Sequence, residues 1–421
     1  MRLTLVNHPI SEIDFGETTL LEGKTLTVGR EELVRHLLED ERLQAVDLEI
    51  ARPGDLCRIG VVFDILEPRA KAPGSGPDFP GILGPIESAG QGTTHVLRGA
   101  VVTVLDETAP VAAGKLIEMS GPAGEASPYS VMNHLIVIPR AVADLEQHIR
   151  LNALRLASVK ASVFLARAAL DQPSSDTEVF ETSPNVPSSN EEDPLRFVYI
   201  TQIHSRQRVA EVDEPILYGA NTAGMVPVGM HPNEWLDGAV VMAYQNMGVE
   251  TFFYQNHPVI LELYNWQREG KITFAGTIAS MAGSDNEDRT RNAMLAANMA
   301  KWTMQADAAA LTKYGGGAPH ADMALTARYC EELGVRTVVQ TQDMSRDRRA
   351  ESAVLFNYAE VDAIVVVGGD DTRWAVPAVE HVISSSSTSA ALLGEPQELA
   401  ASRICGIVGQ QGGSHIRSFL Y

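Results

Sequence analysis

The chain has 421 residues, 45% hydrophobic and 21% charged, enough for two or three domains with cores of their own. Its 54 acidic against 33 basic residues leave a formal net charge of −21. Such a field repels phosphate backbones and anionic lipid, so neither nucleic acid nor a membrane is an expected partner.

From the N-terminus, short β-like runs broken by Gly and Pro dominate: MRLTLV, KTLTV, AVDLEIA, CRIGVVFDILEP, THVLRGAVVTVLD and HLIVIP. One early helix, EELVRHLLED at 31–40, interrupts them, and residues 1–142 are expected to form a β-rich domain. Two glycine-punctuated loops within it, FPGILGPIESAGQG and EMSGPAGEASPYS, are expected either to carry function or to make contacts between domains. Apolar residues at helical spacing and Ala-rich filler predict one long connecting helix over 143–170. Residues 171–194, with four prolines, seven acidic residues and no Lys or Arg, read as a solvated linker and the main domain boundary.

Over 195–421 the pattern changes to strand, loop, helix, repeated. FVYITQI, KITFAGTIA, AAALTKY, RTVVQT and AIVVVGG are strand-like, with NEDRTRNAMLAANMAKWTMQ, DMALTARYCEELG and RRAESAVLFNYAE as helices between several of them. Alternation of this kind predicts parallel βαβ units, hence a multi-domain α/β protein in which a β-rich domain precedes a largely parallel sheet with helices on both faces. No signal peptide is expected from MRLTLVNHPISEIDFG, and no apolar run is long enough to span a bilayer. Three scattered cysteines, Cys57, Cys330 and Cys405, without a C-x-x-C, fit a reducing compartment; cytoplasm is the expectation.

Ligands of open α/β sheets sit beyond the carboxyl ends of the strands. Four loops meet that condition: ASMAGSDNED (279–288), YGGGAPHAD (314–322), QTQDMSRDR (340–348) and VGGDDTRW (367–374). The triple glycine 315–317 permits close backbone approach before a helix N-terminus, which makes Gly316, His320 and Asp322 candidate substrate contacts, with Asp347 on the third loop. No dinucleotide or P-loop fingerprint appears, and the glycines have a simpler reading as strand-end turns. Histidines 95, 204, 231, 257 and 320 show no metal-type spacing, so no metal is expected. Each histidine also has a structural reading as a hydrogen-bonded core residue. All three cysteines read as small buried hydrophobes.

Long strings of this sequence resemble component B of the glycine/sarcosine/betaine reductases, specifically its α/β-subunit proprotein. They are EIARPGDLCRI, FPGILGPIESAGQGTTHVLRGAVV, IEMSGPAGEASPYS, HPNEWLDGAVV, NHPVI, GGGAPHAD, CEELGVRTVVQT, VDAIVVVGG and GIVGQQGGSHIRSFLY. The resemblance implies reductive cleavage of a carbon–nitrogen bond in a glycine-like substrate. It implies self-cleavage before a Cys that becomes a pyruvoyl group, and a partner subunit bearing a selenol or thiol. The cleavage point of the family is an Asn-Cys pair shortly after a segment like DGAVV. Here DGAVV at 237–241 is followed by Met242, Ala243, Tyr244, Gln245, Asn246 and Met247, with no Cys. Pyruvoyl formation needs a side-chain nucleophile for the acyl shift and elimination, and Met, Gln and Asn supply none. Thr251 would leave a ketobutyryl group instead.

No pyruvoyl cofactor is therefore expected. The expected function is that of a subunit of such a reductase complex, uncut, working on a small polar, amino-acid-like substrate, non-amine and quaternary ones included, with a thiol- or selenol-bearing partner. Candidate catalytic residues are His204, His231, Asn246 and His257, with Gln202 and Gln245 as further substrate contacts. Two alternatives stay open: a non-catalytic scaffold or regulatory subunit of such a complex, and a stand-alone lyase, with or without a metal, in a biosynthetic pathway.

Overall fold

The computed structural model describes residues 1–112, 114–182, 193–204, 217–219, 221–222, 224–242, 249–283, 285–315, 317–342, 359–361, 363–367, 369, 372–409 and 411–412. It is an α/β protein of several sheets. In the first half, strands Thr177–Glu181, Arg2–Pro9, Gly92–Arg98 and Arg69–Lys71 make one sheet in that order. A second follows the order Lys115–Glu118, Cys57–Leu66, Ala100–Leu105, Asn133–Ala141, Leu43–Ala51. Gly99 is where THVLRGAVVTVLD divides between the two sheets. Its φ of +86° and a would-be Cβ 2.8 Å from the Ile10 carbonyl oxygen leave no room for a side chain.

The long helix forms over Gln147–Ala166. It is buried along most of its length, with Leu151, Leu154, Ala157, Val159 and Leu165 packed into the core beneath both sheets. Linker composition over 171–194 hides a strand: Thr177–Glu181 pairs antiparallel with Arg2–Pro9, and Phe180 points into the core at 1% exposure. Its alternation, with Phe180 buried and its neighbours Val179 and Glu181 facing outward, is a half-buried edge strand in an otherwise polar segment.

The second half builds the sheet Val228–Met230, Ile272–Met281, Leu195–His204, Ala308–Thr312, Arg336–Thr341, Ile364–Val366, parallel throughout except for its first strand. Period-two alternation along Leu195–His204 sends Tyr199 to one face and Val198 and Ile200 to the other. Helix Pro258–Arg268 packs on the Tyr199 face, while Asn286–Asn298 and Ala318–Glu332 cover the opposite one. The predicted helix RRAESAVLFNYAE lies, apart from its last two residues, outside the described residues.

Residues 195–421 do not all stay with this second sheet. Strand His381–Ile383 pairs parallel with Cys57–Leu66, and Val376, Leu393, Leu399 and Ile404 pack against Leu116 and Ala123. Arg58 explains the return: fully buried, it pairs with Glu118 and donates to the carbonyl oxygens of Pro377 (2.7 Å), Glu395 (3.2 Å) and Leu393. A buried guanidinium demands such acceptors, and this segment supplies three.

Candidate functional site

Numbered along the chain, the five parallel strands lie in the order 2-1-3-4-5. Strand two lies on one side of strand one and strand three on the other, so the connections diverge at the carboxyl ends of Leu195–His204 and Ala308–Thr312. Such a switch point leaves a crevice in which open α/β sheets bind ligands. Here it is lined by buried polar groups where an apolar core would do: Thr201, Gln202, Thr312, Lys313, His320 and Gln411 are all under 5% exposed.

A hydrogen-bonded chain crosses the switch point. Gln411 Nε2 donates to Thr201 Oγ1 (2.9 Å), which meets Thr312 Oγ1 (2.7 Å), which meets the Tyr199 hydroxyl (2.6 Å), 3.4 Å from His257 Nε2. Gln411 Nε2 also donates to the Gln202 carbonyl oxygen at 2.6 Å, and Gln202 Nε2 donates to the Pro319 carbonyl oxygen at 2.9 Å. Lys313, continuing the third parallel strand, donates from Nζ to the Gly315 carbonyl oxygen. The helix Ala318–Glu332 starts beside it behind Gly317, with no side-chain cap on its first N–H groups. Burial and the charge of Lys313 push the His320 imidazole down to about 4, so it stays neutral.

Asp322, one turn on, is a clamp. It accepts from the Gly283 N–H (2.7 Å), pairs with Arg289 (2.8 Å), and burial pushes its carboxyl up to about 6. His257 is fully buried, ringed by Tyr199, Trp235 and Phe253 at centroid distances of 5.2, 5.8 and 4.8 Å, and burial lowers it to about 3. His231 stands apart from the parallel strand ends, following the antiparallel edge strand as the N-cap of Pro232–Leu236. Both of its ring nitrogens are engaged: Nδ1 accepts from the Asn233 N–H (3.2 Å) and Nε2 meets Thr182 Oγ1 (3.0 Å). His204 closes its strand, and its side chain lies outside the described residues, as do Gln245, Asn246, Gly316 and Asp347. Of the named candidates, the structure brings Gln202, His257, His320 and Asp322 to the sheet end where the switch point lies.

The segment 237–257 joins this site to the first half of the molecule and is gripped from there at four points. Asp237 pairs with Lys71 and accepts from the Gly90 N–H (2.7 Å) and Thr94 Oγ1 (2.9 Å). Thr251 donates its N–H (2.8 Å) and hydroxyl (2.6 Å) to the two oxygens of Asp64, and its Oγ1 accepts the Met242 N–H (3.0 Å). Glu250 pairs with Lys115 (3.1 Å), and the side-chain amide of Gln255 brackets Glu67, donating to its carbonyl oxygen (3.1 Å) and accepting its N–H (2.9 Å). The glycine loop FPGILGPIESAGQG thus makes contacts between the two halves: Gly90, at φ +87°, lies so close that a Cβ would sit 2.8 Å from the Glu234 nitrogen.

Asp64, Lys71, Thr201, Thr312, Lys313 and Gln411 escaped the sequence reading. One signal was available, a carboxylate flanked by apolar residues in VVFDIL, in a strand that is buried at every position. Among the described residues no three His, Cys, Asp or Glu side chains stand together as a metal site, and no helix is long and apolar enough to cross a membrane. Cys57 and Cys330 are buried with thiols pushed up to about 12, Cys405 is buried beside Glu250, and Thr251, the one Ser, Thr or Cys in 237–260, is held at both backbone and hydroxyl.

Residues 1–405 match the family model for glycine/sarcosine/betaine reductase component B subunits. The glycine reductase complex component B subunits alpha and beta of Acetoanaerobium sticklandii are 30% identical over 92% of this chain and 90% of theirs. In Peptoclostridium acidaminophilum, the sarcosine reductase complex component B subunit alpha is 30% identical over 91% of this chain and 89% of its own. The betaine reductase complex component B subunit alpha of that organism is 30% identical over 91% and 88%. No solved structure is a significant match. The match thus runs across nearly the whole length: the chain belongs to the glycine/sarcosine/betaine reductase component B family.

Proposed function

We propose that this chain is the substrate-holding subunit of a reductase complex, binding a small amino-acid-like molecule at the switch point, uncut and without a pyruvoyl group. The observation that carries the reading is the convergence of buried polar groups on the carboxyl ends of the two central strands, where Lys313 and the uncapped start of Ala318–Glu332 favour a carboxylate and the amides of Gln202 and Gln411 offer hydrogen bonds. Names of the relatives support it: they are components of glycine, sarcosine and betaine reductase complexes. The missing Cys and the engaged Thr251 support the pyruvoyl-free part.

In this reading the chain supplies position rather than a nucleophile. Lys313 and the helix start hold the carboxylate, and neutral His320 and His257 add no competing positive charge. The partner's thiolate or selenolate attacks the substrate α-carbon; the carbon–sulfur or carbon–selenium bond forms as the carbon–nitrogen bond breaks, and the amine leaves with the electron pair. Reconstitution tests this. Isothermal titration of the isolated chain should show binding of glycine, sarcosine or betaine, and turnover should appear on adding a thiol- or selenol-bearing subunit. A scaffold would bind none of the three, and that result would retire the proposal.

A further inference from the structure

Helix Asn286–Asn298, with the widened turn Met299–Thr303 that prolongs it, inverts the usual pattern of a surface helix. Toward the core it buries small residues: Ala293, Ala296, Ala297 and Ala300 are at most 2% exposed. Its large apolar side chains face outward, with Met294 47%, Leu295 38% and Trp302 68% exposed. At 3.6 residues per turn, Glu287, Arg291, Met294, Leu295, Asn298 and Trp302 fall on one side of the helix, within about a third of its circumference. Large apolar groups gathered on one exposed face mark a surface that another molecule covers.

Charge at the two ends of this face decides what fits it. The first turn is acidic, with Glu287 and Asp288, the latter paired with Arg291 at 3.1 Å. The last turn is basic: Lys301 lies there with its Nζ beside Gly334, and the exposed Arg336 follows two residues on. Asp307, at the same end, accepts the Arg196 N–H (2.8 Å). A face that is acidic at one end, apolar in the middle and basic at the other is complementary to itself when turned through 180°. We infer that helix Asn286–Asn298 is an interaction surface for a second copy of this chain, packed antiparallel about a two-fold axis at Leu295. In that register Leu295 meets its own counterpart, with Met294 beside it, and Asn298 stands opposite Arg291. Glu287 and Asp288 of one copy lie alongside the turn that carries Lys301 and Trp302 in the other. The helix runs back from the carboxyl end of strand Ile272–Met281, so antiparallel pairing turns the two switch points to opposite ends of the dimer. Both stay open to a further subunit, and the inference holds whatever ligand they take.

Sedimentation equilibrium of the purified full chain, from sub-micromolar concentration upward, tests this. One helix face makes a small interface, so a dimer of the 45.5 kDa chain should dissociate with a constant on the order of 10 μM. Leu295→Glu and Trp302→Ala should each weaken it at least about 10-fold, with the urea midpoint unchanged because both side chains are exposed. Lys301→Glu should weaken it by about 3-fold, and adding Glu287→Lys to that variant should restore wild-type association, since the two ends meet only in an antiparallel pair. A chain that stays monomeric at about 100 μM would overturn the inference. So would a dimer indifferent to Leu295→Glu and Trp302→Ala, which pairs through another surface, or a charge swap that fails to restore association. A monomer whose Trp302 fluorescence changes only on adding a thiol- or selenol-bearing subunit would assign the face to that partner and equally overturn self-pairing.

Discussion

Thr251 shows most plainly how single side chains set up this site. Its N–H and hydroxyl both go to Asp64, and its oxygen takes the Met242 N–H, so one residue fixes the described chain on both sides of 243–248. Burial pushes the Asp64 carboxyl up to about 6, with the two Thr251 bonds pulling in the opposite direction. Thr251→Val removes the hydroxyl and leaves a buried N–H and a buried carboxylate oxygen each short of a partner. Unfolding free energy from urea titration should fall by about 2–5 kcal/mol, and Thr251→Ser should recover all but about 1 kcal/mol of it. A Val variant as stable as wild type would show that the hydroxyl contributes nothing. Some of this was legible beforehand, since strand-end position singles out Gln202 and loop position singles out His320. Gln411 was not, because nothing local marks a glutamine some 200 residues along the chain as a neighbour of Thr201.

At the scale of elements, periodicity located strands and helices but said little about which half of the molecule they serve. CRIGVVFDIL and FVYITQI form strands where apolar, β-branched composition puts them, over Cys57–Leu66 and Leu195–His204. The strand inside the acidic segment, and the return of His381–Ile383 to the first half, were illegible. Both depend on partners far away in sequence, Arg2–Pro9 for one and Cys57–Leu66 for the other. The same holds for the corner after Pro232–Leu236, where Asp237 receives Lys71, the Gly90 N–H and Thr94. Lys71 and Asp237 are 7% and 2% exposed at the side chain, so removing one partner strands a buried charge. Asp237→Ala should therefore cost about 3–5 kcal/mol in urea unfolding. Lys71→Met/Asp237→Leu should lose much less, because both charges go together. Equal losses in the single and double variants would show that the corner is held by packing instead.

Across the whole molecule, fold and chemistry separate. Two halves, a β-rich one and a parallel α/β one, are knit by buried polar side chains on the strands and loops of the first half that grip the segment 237–257 of the second. Gly and Pro placements in the joining loops made the family visible in the sequence, because close approaches such as that of Gly90 to Glu234 tolerate no side chain. In the proposed function the chemistry turns on residues that are absent rather than present: 237–260 contains no Cys, and its one Thr is committed to Asp64. Intact mass spectrometry of the denatured protein, purified from its own cells and treated with a carbonyl-reactive hydrazide, tests that claim most directly. One unmodified species near 45.5 kDa is the predicted result. Two fragments, one of them carrying a hydrazone at its new N-terminus, would contradict it.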